Sequence, residues 1–550
     1  MEEIGSHVHD VIIIGAGPCG LALAARLCED TPASLFTESE HQRYHWMKSS
    51  ASSKRNSKPL RTSRRSHTAP DRLLHGPKVA CPLDIAVLDA NQSEWMGGWN
   101  NNFKRLGISH LRSPMFFHTD PRDRDGLLEF AYLEGQEEDI REITGVVGKD
   151  LSKHQRKQKA SKSRKSQEIA YLDERDRKDF FRPSQSLFAR QCKIIAERYN
   201  ISDMVQNSKV TSIAYSDYRA KSGIFTLQTS TGVKRARTVA FAAGSAAPPS
   251  IPLEYSFVHQ NFEHVSLALA PTSPDSALPV GLRRRIAQGR PSSVAVVGGG
   301  LTSAQVTNAA IGIGVSKVHH IIRGSMKVKH FDFDLPWVGK YKNFLLASFW
   351  SADTDEERLE MMKAARGGGS ITPEYKKILS NLVKISKAEI HENTKITDAK
   401  WDDDTAKWTL ETKPSTGGLE VDHIVFATGA PPVFHNIEAL KPLSEMAPIK
   451  VVGGLPCITE DLMWNDDIPF FFTGHLAALK LGPAGPNLEG ARQGAERIAG
   501  KLAEIFSEDR PDSGYGSQSG DQKSEVDMGR LGLGRDNQFD ILASTSDSSQ

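Results

Sequence analysis

The sequence is poor in cysteine, and its five cysteines form neither a C-x-x-C pair nor a metal-ligand spacing. Neither a disulfide framework nor a zinc site is therefore supported, and no metal site is predicted. Free cysteine is readily buried in protein cores, so we expect reduced, buried thiols. They are Cys19, Cys28, Cys81, Cys192 and Cys457.

Long apolar runs and a strong charge of one sign are also missing. No apolar stretch approaches the roughly 18 residues that a membrane span needs, and Glu2 and Glu3 stand where a secretory signal would carry basic residues. The formal net charge of +2 gives no overall attraction to nucleic acid. With 25% charged and 39% hydrophobic residues, the composition is that of a globular enzyme, and we expect it to be cytoplasmic.

The length of 550 residues indicates two domains with tails, because single cores rarely exceed about 300 residues. Residues 48–76 and 151–166 are basic and poor in large apolar side chains, so they are predicted to be mobile insertions. The tail 507–550 is rich in Gly, Ser and Asp, and it is predicted to be disordered. No aromatic residues are interleaved with the basic ones, which disfavours nucleic-acid binding and leaves nuclear entry as an alternative.

A glycine turn near the N-terminus has the pattern of a dinucleotide-binding site. In "VIIIGAGPCGLALAARL", an apolar strand at 11–14 runs into glycines and then into an amphipathic helix that begins near Pro18. Gly15 permits a tight turn, Gly17 lets the backbone approach a pyrophosphate, and Gly20 lets the helix pack closely on the strand. The helix N-terminus would then bind the phosphates.

An acidic residue follows this turn at the distance expected of a ribose ligand. The next strand is predicted in "ASLFTESE" and ends at Glu38, which is 18 residues past Gly20 and close to the expected spacing of about 20. We predict that Glu38 accepts hydrogen bonds from the ribose. The alternative is a solvated charge at a strand end.

The same pattern occurs a second time, in "SSVAVVGGGLTSAQ" at 292–305. Gly298 and Gly300 lie in the turn, and Ser303 takes the place of the third glycine. The following strand, in "KVHHIIRG", ends at Arg323, which could pair bidentately with a 2′-phosphate. This site is therefore predicted to prefer NADPH to NADH, unless Arg323 is an ordinary surface arginine.

Together these segments resemble flavoproteins with two dinucleotide-binding domains, whose FAD site begins at the N-terminus. "TVAFAAGSAAPPSIP" at 238–252 and "DHIVFATGAPPVF" at 422–434, which contains Gly429, resemble their interdomain ATG-type motifs. "IPFFFTGHLAALKLGPAGPNLEG" resembles their C-terminal flavin-contacting segment, which implies that Gly474, Asn487 and Leu488 lie by the isoalloxazine ring.

The resemblance implies an α/β fold of two Rossmann-like domains that bind FAD and NADPH, with the second domain inserted in the first. The expected units are residues 1–250 and 411–506 for FAD and residues 251–410 for NADPH.

Two further segments point to a reaction class. "WMGGWNNNFKRLGISHLRSPMFFH" at 95–118 and "FRPSQSLFARQCKIIAERY" at 181–199 resemble the NADPH-dependent monooxygenases that N-hydroxylate ornithine and lysine. The resemblance implies hydroxylation of a nucleophilic nitrogen or sulfur of a small molecule by molecular oxygen, through a C4a-hydroperoxyflavin. Asn101, Asn102 and Lys104 are the candidates to line the catalytic region, although a run of asparagines is also typical of turns.

Three questions stay open at this point. The protein could be an NADPH-dependent flavin oxidoreductase that inserts no oxygen, or a flavin-binding regulatory protein. "KHFDFDLPWVGKYKN" at 329–343 could cap the nicotinamide or fill a surface between the domains. The sequence does not decide whether the chain forms an oligomer.

Overall fold

A computed structural model describes residues 7–30, 32–33, 81–146, 178–216, 223–244, 251–269, 278–339, 341–429 and 434–508. Glu38, both basic insertions and the tail beyond residue 508 lie outside these ranges, so the expectations about them stay predictions. None of the helices in the described ranges combines the length and the hydropathy of a membrane-spanning segment.

The described strands and helices alternate along much of the chain. The strands are β1 Val8–Ile14, β2 Ile85–Asp89, β3 Ile140–Glu142, β4 Phe181–Pro183, β5 Val205–Asn207, β6 Val210–Tyr215, β7 Phe225–Thr229, β8 Gly232–Phe241, β9 Val265–Leu267, β10 Ser293–Val297, β11 Lys317–Ile321, β12 Ala388–His391, β13 Lys395–Asp402, β14 Lys407–Lys413, β15 Leu419–Val421, β16 His423–Phe426, β17 Val451–Val452, β18 Leu455–Pro456 and β19 Phe470–Phe472. The helices are α1 Pro18–Leu27, α2 Gly97–Arg105, α3 Gly126–Leu133, α4 Gln185–Arg198, α5 Val280–Ala287, α6 Leu301–Ile313, α7 Lys342–Trp350, α8 Asp355–Arg366, α9 Pro373–Lys384, α10 Lys441–Met446, α11 Ala478–Leu481 and α12 Leu488–Glu508.

The first sheet has seven strands in the order β5-β2-β1-β8-β7-β6, and β19 pairs with the end of β8. β5, β2, β1, β8 and β19 are parallel, whereas β6 and β7 form an antiparallel extension. Four consecutive residues of β1, Val11 to Ile14, are buried, as expected of a central strand covered on both faces. Helices α1, α4 and α12 contribute buried side chains to the same core.

The second sheet consists of five parallel strands in the order β12-β11-β10-β16-β9. All five lie in the chain between β8 and β19 of the first sheet, so the second unit is inserted in the first. Its sheet packs on one face against the antiparallel sheet β13-β14-β15 and on the other against α5 and α6. The predicted α/β fold of two Rossmann-like units, with the second inserted in the first, is confirmed.

One sequence-based boundary differs from the structure. Residue 410 lies inside β14, and β16, at His423–Phe426, still belongs to the second sheet. The chain therefore returns to the first sheet later than expected, because the hairpin strands before β16 belong to the inserted unit.

Candidate cofactor sites

The first glycine turn joins β1 to α1 at the carboxyl edge of the first sheet. Gly15 has a φ of +110°, and a Cβ added there would lie 2.6 Å from the Ala242 carbonyl oxygen. A Cβ on Gly20 would lie 2.0 Å from the Gly15 carbonyl oxygen. Gly17 is the N-cap of α1 and provides no side-chain cap, and Pro18 occupies the first helical turn. The helix N-terminus is thus built to present backbone N–H groups to an anion.

A cavity of about 1190 Å³ opens on this turn. Its walls come from the segments 14–19, 88–92, 97–99, 208–211, 241–244, 435–439 and 486–488, together with Glu94, Asn102 and Ser113. Pockets for drug-sized ligands have volumes of about 300–1,000 Å³. The cavity is therefore large enough for a dinucleotide that runs along the carboxyl edge of the sheet.

Asp89 provides an acidic group at the end of the strand beside β1. Its Oδ2 accepts a hydrogen bond from the Ala16 backbone N–H at 2.9 Å, and its Oδ1 accepts from the N–H groups of Asn91 and Gln92. Asp89 also lines the cavity. This is the topological position at which ribose ligands occur. Sequence reasoning missed it because the long insertion separates β2 from α1, so the usual spacing of about 20 residues does not apply.

The asparagine run forms part of helix α2 rather than a turn. Asn102 lines the cavity, and its Oδ1 accepts a hydrogen bond from Arg105 Nη2 at 2.9 Å. Asn101 and Lys104 are exposed and are not among the lining residues. The structure therefore brings one of the three candidate catalytic residues to the cavity.

The C-terminal segment contributes residues to the wall of the cavity. Asn487 and Leu488 line it, and Asn487 Oδ1 accepts a hydrogen bond from the Glu489 N–H at 3.0 Å at the start of α12. Gly474 has a φ of +70°, and a Cβ there would lie 3.0 Å from Cys19 Sγ. Burial raises the pKa of the Cys19 thiol to about 11, so this thiol at the cavity wall stays protonated.

The second glycine turn repeats the geometry of the first between β10 and α6. Gly298 has a φ of +150°, and a Cβ there would lie 2.4 Å from the Ala427 carbonyl oxygen. Gly300 is the N-cap of α6 and has extended backbone angles. Gly429, which follows β16, has a φ of +82°.

Two buried side chains, Ser303 and His320, form hydrogen bonds with the backbone of this second turn. Ser303 Oγ donates a hydrogen bond to the Gly300 carbonyl oxygen at 2.7 Å. His320 Nε2 lies 2.9 Å from the Gly298 carbonyl oxygen and 3.0 Å from Ser303 Oγ. Burial lowers the pKa of His320 to about 4, so the ring is neutral at pH 7 and donates its Nε2–H to the turn. Sequence reasoning missed His320, because a histidine inside an apolar strand carries no local signal of this contact.

Arg323 lies two residues beyond β11, at the carboxyl edge of the second sheet. Its side chain is 66% exposed, and its Nη1 lies 3.4 Å from Glu254 Oε1. The nearby ammonium groups already have partners: Lys327 donates to the Gly367 carbonyl oxygen, and Lys329 donates to the carbonyl oxygens of Ala365 and Arg366 and pairs with Asp334 at 2.8 Å. Arg323, the residue predicted to bind the 2′-phosphate, is thus open to solvent.

A second run of glycines, residues 367–369, packs against this turn. Gly367 and Gly368 have left-handed φ values of +60° and +85°. A Cβ on Gly369 would lie 3.0 Å from both the N and the Cα of Gly300. Only a glycine backbone can therefore approach the second turn at this point.

Arg112 links the wall of the cavity to this glycine run. Next to Ser113, which lines the cavity, Arg112 donates to the carbonyl oxygens of Lys329, His330 and Phe331 and to Ser370 Oγ. Burial lowers its pKa to about 10, which still leaves the guanidinium charged. Arg112 thus ties the first unit to two loops of the second.

The aromatic segment 329–343 packs into the interface between the units. Phe331, Phe333 and Trp337 are buried in the same core cluster as the first sheet. This packing supports the interdomain alternative of the two that the sequence left open.

Comparisons with known proteins support the fold. No protein-family model matches the sequence, and no curated protein sequence matches it. Among solved structures, the chain is similar to the FAD-bound cadaverine monooxygenase of Erwinia amylovora, with a TM-score of 0.57 and 14% identity over 94% of this chain and 100% of that chain. It is also similar to the ornithine N-hydroxylase of Kutzneria sp. 744 in complex with reduced FAD, NADP⁺ and L-ornithine, with a TM-score of 0.57 and 14% identity over 91% and 100%. The L-lysine 6-monooxygenase of Pseudomonas syringae gives a TM-score of 0.56 and 16% identity over 90% and 99%.

At these identities the similarity establishes the fold alone. The chain has the two-unit α/β fold of flavin-dependent N-hydroxylating monooxygenases, and the resemblance stated from the sequence is confirmed at that level.

Proposed function

We propose that this protein is an FAD-dependent, NADPH-consuming monooxygenase that hydroxylates a nucleophilic nitrogen, or a sulfur, of a small molecule. The observation that carries the proposal is the pair of glycine turns in one chain. Each follows a central parallel strand and precedes a helix N-terminus, and the first opens on a cavity of about 1190 Å³.

The first turn and its cavity fit FAD. Gly15 and Gly20 leave no room for a side chain, and Gly17 faces open space, so its bare backbone can approach a pyrophosphate. Asp89 is our candidate for the ribose ligand, and Glu38 stays a second candidate. Asn487, Leu488 and Gly474 would hold the isoalloxazine end. When bound, FAD would supply hydride acceptance and the activation of oxygen.

The second turn fits NADPH through backbone groups of Gly298 and Gly300. Ser303 and His320 are buried beneath the turn, so they would hold its shape and not touch the cofactor. Arg323 would bind the 2′-phosphate, because its guanidinium is exposed at the strand end where dinucleotide-binding sites select the ribose substituent.

The residues of this chain would serve the reaction by positioning and by excluding water. Arg112 and the buried aromatic residues of 329–343 would keep the two units at a fixed distance. An amine must be uncharged to attack, so a cavity wall that removes its water would favour the reactive form. Asn102 is the polar residue of α2 that could accept a hydrogen bond from such an amine.

The decisive test measures both the reduction of the flavin by NADPH and the products formed from oxygen. The FAD-loaded protein is mixed anaerobically with NADPH, and bleaching of the flavin absorbance is recorded. Oxygen is then admitted with ornithine, lysine, cadaverine or a thioether, and hydroxylated product and hydrogen peroxide are quantified. Product in proportion to NADPH supports the proposal. Flavin reduction that yields only peroxide with every substrate would indicate a flavin oxidoreductase, and no reduction by NADPH would indicate a regulatory flavoprotein.

Asn101 and Asn102 provide a matched pair of variants for the substrate region. Asn102→Ala is expected to lower the yield of hydroxylated product relative to peroxide more than Asn101→Ala, since Asn102 alone of the two lines the cavity. The opposite ranking would favour Asn101 as the residue that contacts the substrate.

A further inference from the structure

Two histidines and a glutamate converge at the outer edge of the second sheet. β12 is the edge strand and runs parallel to β11, with His319 opposite Glu389 and Ile321 opposite His391. Residues two apart in a strand share a face, so His319, Glu389 and His391 lie on the same side of the sheet. His319 is buried, His391 is half-buried and Glu389 is exposed.

The side-chain atoms are spaced as metal ligands are. His319 Nδ1 lies 3.3 Å from His391 Nε2 and 3.6 Å from Glu389 Oε2. One ligand atom from each of the three residues lies within 4.8 Å of the other two. In a tetrahedral zinc site with bonds of about 2.0–2.2 Å, neighbouring ligand atoms are about 3.3–3.5 Å apart.

We infer that His319, Glu389 and His391 form a binding site for a divalent transition metal of the zinc class. Two imidazole nitrogens and one carboxylate oxygen are ligands that such ions accept. Glu389 is on the solvent side, which gives an ion a path of entry and water a place as the fourth ligand. The site stands independently of the reaction proposed above.

Lys317 is the competitor for this site. Its ammonium lies 2.8 Å from Glu389 Oε2, so an ion must replace this ion pair. Removing the ammonium should therefore tighten metal binding, whereas removing an imidazole should weaken it.

A second cluster in the described part of the chain provides an internal comparison. His7 Nε2 and His9 Nδ1 lie 2.6 Å and 3.0 Å from the same oxygen of Asp84. These are hydrogen-bond distances to one shared acceptor, and the shorter one leaves no room for an ion between the two atoms. Sequence reasoning found neither cluster, since each of them combines residues that are far apart in the chain: His319 with His391, and His9 with Asp84.

The test uses the full-length, FAD-loaded protein after treatment with a chelator. Zn²⁺ is titrated by calorimetry, and Co²⁺ by its visible absorption. The wild type is expected to bind one equivalent with a tetrahedral Co²⁺ spectrum. His391→Ala should lose this equivalent, Lys317→Ala should bind roughly tenfold more tightly, and His7→Ala should match the wild type.

FAD content and the thermal melting temperature show whether each variant is folded, and Glu389→Gln replaces His391→Ala if that variant fails to fold. The inference is overturned if the wild type shows no saturable binding or if His391→Ala binds as the wild type does. Thiolate-to-metal absorption in the Co²⁺ complex would also overturn it, because it would place the ion on cysteines.

Discussion

His320 is a side chain whose effect on the second cofactor site can be isolated. His320→Ala removes the donor 2.9 Å from the Gly298 carbonyl oxygen, and a lost buried hydrogen bond costs about 1–3 kcal/mol. We expect NADPH affinity to fall roughly tenfold, which corresponds to about 1.4 kcal/mol, while FAD content stays unchanged. His320→Gln can place an amide N–H at a similar position and should recover most of the affinity. Equal losses in the two variants, measured by NADPH titration, would mean that only the volume of the ring matters.

Arg323 and Glu254 form a pair with opposite expected effects on coenzyme choice. Arg323→Ala should weaken NADPH binding by about 10- to 100-fold and should change NADH binding little. The reason is that a hydrogen bond to a charged group contributes about 1.5–3 kcal/mol. Glu254→Gln should strengthen NADPH binding, because it removes the negative charge that lies 3.4 Å from the Arg323 guanidinium. The dissociation constants of both coenzymes are measured for each variant. Equal losses of NADPH and NADH in Arg323→Ala would refute the 2′-phosphate assignment.

At the scale of the element, the glycines of the first turn have separable roles. A Cβ on Gly17 meets nothing within 4 Å, whereas a Cβ on Gly20 would lie 2.0 Å from the Gly15 carbonyl oxygen. Gly17→Ala should therefore fold with an unchanged apoprotein melting temperature but bind FAD at least roughly tenfold more weakly. Gly20→Ala should lower the melting temperature of the apoprotein and should also abolish FAD binding. Gly500→Ala, in an open part of α12, is the control. Unchanged FAD affinity in Gly17→Ala would place the pyrophosphate elsewhere.

The elements that sequence reasoning predicted are those specified by a few adjacent residues. Both strand, turn and helix units follow from an apolar run and glycines within about 15 residues, which is local information. The position of Asp89 could not be predicted, because a long insertion separates β2 from the turn it completes. The place of β16 in the second sheet was missed for a similar reason, since strand order is decided by pairing between distant segments. The contact of His320 with Gly298 likewise appears only when two strands are side by side.

At the scale of the whole molecule, three buried histidines make stability depend on pH. Burial lowers the pKa of His118 and His320 to about 4 and that of His423 to about 3, below the value of about 6.5 expected in the unfolded chain. The unfolded state therefore binds more protons as the pH falls below 6.5, and stability decreases. At pH 5, each of the three histidines lowers the free energy of unfolding by about 2 kcal/mol. The pKa of Glu489 is raised by burial and acts in the opposite direction, so the test is a variant and not the slope alone.

His423→Gln can keep a donor near Ser266 Oγ, which lies 3.0 Å from His423 Nε2. The difference in melting temperature between pH 7.5 and pH 5 should be smaller in this variant than in the wild type. An identical difference in the two proteins would mean that His423 does not take up a proton on unfolding.

Arg112 tests whether the two units work as one catalyst. Its guanidinium crosses from the wall of the first cavity to the loops at 329–331 and to Ser370, next to the glycine that packs on Gly300. Arg112→Lys keeps the charge but loses the planar set of donors. A shift of about 1 Å between reacting groups can cost about 100-fold in rate. We therefore expect FAD content and NADPH affinity within about threefold of the wild type, but a hydride-transfer rate lower by roughly 100-fold in anaerobic stopped-flow experiments. If affinity fell as much as the rate, Arg112 would support the coenzyme site itself; if neither changed, the buried aromatic residues of 329–343 would be sufficient to hold the units together.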